Sequence, residues 1–133
     1  SVMQIDKPMM EKAVNHGGRI LVVATHGPTV KSTQALLQET ADELGKQVEF
    51  SGLHTEKPWD KLAAFDIKGH NDELAKAVRG RLKEEKIECV VFAQLSMTVF
   101  LLSYPDPLKE FGVPIYTSGQ CGFEAMRELL LAG

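Results

Sequence analysis

Arg19-Ile20-Leu21-Val22-Val23-Ala24, followed by Thr25-His26-Gly27-Pro28-Thr29-Val30-Lys31-Ser32-Thr33, is the stretch on which the reading of this chain turns. The apolar run reads as a buried strand and the hydroxyl-rich stretch as a loop. Behind it, Leu37, Ala41 and Leu44 recur at helical spacing up to a stop at Gly45. A helix beginning near Thr29 leaves its first backbone N–H groups without intrahelical partners. Those donors, with the Thr and Ser hydroxyls, can hold a carboxylate or a phosphate. Strand-end loops of an open parallel sheet are where such ligands bind, so the stretch points to a small anion.

Three further runs read as strands, at Val48 to Leu53, Glu88 to Ala93 and Val113 to Thr117, with Leu74, Val78 and Leu82 at helical spacing between them. Alternating strands and helices imply a parallel sheet, and right-handed crossovers put helices on both of its faces. Thr55 to Asn71, with Pro58, Trp59 and Gly69, has no clear period and reads as a long surface loop. At the start of the chain, Val2-Met3-Gln4-Ile5 reads as a strand. Asp6 is a helix cap, Pro8 suits a first turn, and Met9, Met10, Ala13 and Val14 form an apolar face. Residues 1–16 are thus expected to be the strand-helix ending of a preceding lobe, and 17–133 a single domain. The same order of elements recurs at Val113-Pro114-Ile115-Tyr116 and a final helix from about Gly122, which carries Phe123, Met126 and Leu130 on one side.

With 133 residues, 44% apolar and 25% charged, the composition is that of one globular domain. A net charge of -3 with interspersed basic residues gives no positive stripe for a nucleic-acid backbone. No apolar run is long enough to span a bilayer, and the start lacks the order of a signal peptide. Two cysteines make neither a disulfide framework nor a metal spacing, which fits a reducing, cytoplasmic setting. A lobe with part of its wall missing would expose the Met3, Met9 and Met10 segment, so a homo-oligomer is expected.

Cys89 reads as a small apolar core residue. Cys121, after Thr117-Ser118-Gly119-Gln120 at a helix start, is a candidate nucleophile because the helix dipole would lower its pKa. His26, His54 and His70 form a conceivable metal trio, but no tight spacing supports one and no metal is assigned. His26 is better read as a ligand contact.

The runs Ile5-Asp6-Lys7-Pro8-Met9-Met10-Glu11-Lys12-Ala13-Val14, Arg19 to Thr25 with Thr29 and Ser32 behind it, and Val90-Val91-Phe92-Ala93-Gln94-Leu95-Ser96-Met97 together resemble the aspartate/glutamate/hydantoin racemase family. The likeness spans nearly the whole chain, as the C-terminal portion of a family member with a further half-domain before Ser1. It implies a flavodoxin-like lobe, with about four parallel strands, of a two-lobed isomerase that needs no cofactor. A cysteine from each lobe would act on opposite faces of a carbon beside a carboxylate, one thiolate removing the proton and the other thiol returning it. Thr25, Gly27, Thr29 and Ser32 match the loop that holds the carboxylate, with backbone N–H groups and hydroxyls stabilising the developing enolate charge.

The chain departs from that pattern where the family's second cysteine follows the strand of Val90 to Phe92, for Gln94 stands there. Its amide can orient a ligand but cannot act as acid or base. Neither member of the catalytic pair is therefore carried by these residues, and no catalytic residue is assigned. The expected binding residues are Thr25, His26, Gly27, Thr29 and Ser32 on one wall and Gln94, Ser96, Thr117 and Ser118 on the other. A non-catalytic ligand-binding or assembly domain is the competing class. A phosphate-binding relative is disfavoured, since the loop lacks both the P-loop lysine and a Gly-x-Gly-x-x-Gly fingerprint.

Overall fold

The computed structural model describes residues 2–25, 27–93 and 100–117, with backbone alone for residues 2–8 and 62. Its strands are β1 (Gly18–Ala24), β2 (Val48–His54), β3 (Cys89–Phe92) and β4 (Ile115–Thr117). Its helices are α1 (Val2–His16), α2 (Gly27–Leu44), α3 (Lys57–Ala63), α4 (Ile67–Glu84), α5 (Phe100–Ser103) and α6 (Pro107–Phe111). All strand pairs are parallel, in the order β2-β1-β3-β4. This is a flavodoxin-like α/β domain.

The strand alternation sorts the core into two layers. On one face Ile20, Val22 and Ala24 of β1 meet Val30, Leu37 and Ala41 of α2 and Met9, Met10, Ala13 and Val14 of α1. On the other, Leu21, Val23, Val90, Phe92 and Ile115 meet Leu74, Ala75 and Val78 of α4 and Phe100 of α5. β1 and β3 are buried on both faces, which explains why their sequences are unbroken apolar runs. Gly52 lets α2 cross β2 closely: a Cβ there would lie 3.0 Å from Val30 Cγ1, which would have to shift by a few tenths of an ångström. Gly45, at φ +66, ends α2 in the left-handed conformation that side chains resist.

Three expectations are corrected. Val2 to Ile5 is not a strand but the opening of α1, which runs unbroken to His16. The supposed loop from Thr55 to Asn71 holds α3 and the start of α4, whose N-cap Asp66 accepts from Gly69 N–H at 2.9 Å. A seven-residue helix such as α3 is too short to show a period in the sequence. Met9 and Met10 are buried against the sheet rather than exposed, so they supply no sticky surface. The expected helix from Gly122 lies outside the described residues. Beyond Tyr104, Asp106 caps α6 with Pro107 in its first turn, and Gly112 closes it.

Candidate functional site

In this strand order the chain moves outward from β1 to β2 on one side and from β3 to β4 on the other. The switch point therefore lies between β1 and β3, and the crevice beyond their carboxyl ends is where such sheets bind ligands. Thr25 stands there, buried, just past β1. α2 opens at Gly27, two residues before the position expected from sequence. Pro28 has no N–H, so Gly27, Thr29 and Val30 carry the first-turn donors. That turn holds no acidic side chain, which leaves the positive end of the helix dipole uncompensated from within α2.

His54, the last residue of β2, braces this corner. Its Nε2–H donates to the Thr25 carbonyl at 3.0 Å, and Nε2 lies 3.6 Å from Glu56 Oε1. The ring passes close over Gly27, where an added Cβ would sit 3.7 Å from Nδ1. Sequence reasoning considered His54 only as a metal ligand; its place at the end of the strand beside β1 was the signal for a structural hold on the turn.

The structure thus gathers Thr25, Gly27 and Thr29 around the end of β1. Ser32 is apart, on the exposed side of α2, with its hydroxyl donating to the Thr29 carbonyl at 3.2 Å. Thr117 ends β4 in register with Phe92 and is 2% exposed, and its Oγ1 has no hydrogen-bond partner among the described residues. His26, Gln94, Ser96, Ser118 and Cys121 lie outside the described residues.

Cys89 is at the opposite, amino end of β3, paired with Ile20. Its thiol makes a weak contact to the Ala13 carbonyl at 3.8 Å, and burial, aided by neighbouring Glu88, pushes its pKa up to about 12. A thiol held protonated in the core is no acid-base group at neutral pH. Among the described residues no three His, Cys, Asp or Glu side chains are placed to hold a metal ion. Of the supposed histidine trio, His54 faces α2 and His70 is buried in α4 on the other face of the sheet. No described helix is long and apolar enough to cross a membrane.

Comparison with protein families, curated proteins and solved structures finds no match to this chain. The reading of its function therefore stands on the residues and their geometry.

Proposed function

We propose that this domain binds a small carboxylate at the carboxyl ends of β1 and β3, as a lobe similar to those of the aspartate/glutamate/hydantoin racemases. One observation carries the reading: the acid-free amino end of α2 opens at the switch point of the sheet, beside buried Thr25. Backbone N–H groups of Gly27, Thr29 and Val30 would hold the carboxylate, and the Thr25 hydroxyl would border it. His54 keeps the turn in place through the Thr25 carbonyl.

If proton transfer at the carbon beside the carboxylate takes place, the same donors stabilise the enolate charge that develops there. Its thiol would come from a lobe preceding Ser1, because Gln94 occupies the family's cysteine position and Cys89 is dry and protonated; Cys121, outside the described residues, is the other thiol of this chain. With that lobe the assembly would be an isomerase, an amino-acid racemase working without cofactor. The state of Cys89 equally favours a second reading, a ligand-binding or assembly domain with no chemistry of its own.

Proton exchange at the alpha carbon, followed by NMR in deuterated water, separates the two. Aspartate, glutamate, a hydantoin and a substituted malonate form the panel. This chain alone is expected to exchange none, and a form extended by a cysteine-bearing lobe is expected to exchange at least one. Silence from the extended form would leave binding as the function.

A further inference from the structure

Seven polar side chains are buried among the described residues, and four of them, Thr25, His70, Asn71 and Thr117, belong to one end of one face of the sheet. Alternation along β1, continued one residue, groups Thr25 with Leu21 and Val23 on the α4 face. Thr117 follows Ile115 and lies beside Phe92 on that same face.

α4 brings the other two. Its C-cap Glu85 accepts from Ser51 at 2.8 Å and lies 3.8 Å from Arg19, near the amino end of β1. At about 1.5 Å per residue, the helix from Glu85 back to His70 covers about 22 Å. At about 3.3 Å per residue, β1 from Arg19 to Thr25 covers about 20 Å. His70 and Asn71 therefore stand level with Thr25. They belong to the face of α4 that continues as Leu74, Ala75 and Val78, where apolar side chains would pack without cost. Instead His70 Nδ1–H donates to Asn71 Oδ1 at 2.7 Å, and Asn71 Nδ2 donates to Ser103 Oγ at 2.9 Å. The amino end of α4 is already closed by Asp66, so neither residue is needed as a cap.

The pair alone would be explained as a pin between α4 and α5. Thr117 is not explained so, because its buried hydroxyl meets no partner among the described residues, and buried polar groups without one are rare. We propose that Thr117, on the face of the sheet that also carries the buried His70–Asn71 pair, is a second pole of the site, which holds a hydrogen-bonding group of the ligand other than its carboxylate. This rests on the carboxylate reading above. Thr117 is in register with Val23, two residues below Thr25 and two strands across from it. With strands about 4.8 Å apart, the two positions are about 11 to 12 Å apart. After a hydrogen bond of about 2.9 Å at each end, about 6 Å is left between the ligand's polar groups. That is the reach of a four- to five-carbon chain with polar ends.

The test uses succinate and butyrate, which share four carbons and differ in the second polar end, titrated calorimetrically into the whole chain. The wild-type protein is expected to bind succinate about tenfold more tightly, the value of one well-made polar contact. Thr117→Val should abolish that preference while leaving butyrate affinity and melting temperature unchanged or higher, and Thr117→Ser should restore it. Equal binding of the two probes by wild type, or a preference that survives Thr117→Val, would overturn the second pole and leave the carboxylate site standing. Binding of neither probe by wild type would overturn both.

Discussion

The two ends of the sheet treat polar groups in opposite ways. At the amino end a network of side chains is paired: Arg19 bonds Glu49 at 2.8 Å and Ser51 at 3.2 Å, and Ser51 in turn donates to Glu85 at 2.8 Å. The groove there, about 780 Å³ and lined by Arg19, Lys46, Lys86 and Glu88 among others, is open and of mixed charge. At the carboxyl end the first turn of α2 holds no acid, and Thr117 Oγ1 has no hydrogen-bond partner among the described residues. Mutually satisfied groups hold a fold together, and the unspent bonding capacity at the switch point is what supports the proposed ligand site there.

The largest effect should come from removing the apolar support of the carboxyl end. Phe100 is fully buried, edge-on to Phe92 at 5.0 Å and stacked on Tyr104 at 4.7 Å. Phe100→Ala is expected to cost about 3–5 kcal/mol in urea unfolding, and succinate binding with it. A loss below about 1 kcal/mol would mean that this end is not anchored by the aromatic cluster.

Next, Gly52→Ala should cost about 1–3 kcal/mol, because its methyl meets Val30 in the first turn of α2. The shift of α2 should also weaken carboxylate binding. Unchanged affinity in a destabilised variant would detach the site from the placement of that helix.

At the amino end, Ser51→Ala should cost about 1 kcal/mol by breaking the link between Arg19 and Glu85. Affinity for succinate should not move. A binding defect there would break the division between a structural end and a binding end.

The smallest effect concerns Cys89. Its pKa rises on folding to about 12 from an ordinary value of 9.0, so the unfolded chain loses this proton first as pH rises. The stability it contributes is intact below pH 9 and declines toward about 12. Cys89→Val should flatten that alkaline decline relative to wild type in urea titrations across the range, and identical profiles would contradict the buried thiol.

The sheet was legible because β1 and β3 are buried on both faces and so are apolar without interruption. The turn into α2 was legible for a related reason: a strand followed directly by Gly, Pro and hydroxyl residues leaves few alternatives to a turn into a helix. What lay hidden depends on contacts distant in sequence. Val2 to Ile5 has the residues of a strand, yet the structure continues α1 through it. Met9 and Met10 could be judged exposed or buried only once α1 was placed over the sheet. His70 and Asn71 gain meaning from the direction of α4, which is set by Glu85 meeting Ser51 across the fold. The resemblance groups Ser32 with Thr29, but the Ser32 hydroxyl is bonded to the helix itself.

Amide chemical shifts recorded during a succinate titration test the central claim most directly. The account predicts saturable shifts at Gly27, Thr29 and Val30, with Gly18, Lys46 and Lys86 at the amino end unmoved. Shifts confined to the amino-end groove, or none up to high millimolar succinate, would contradict it.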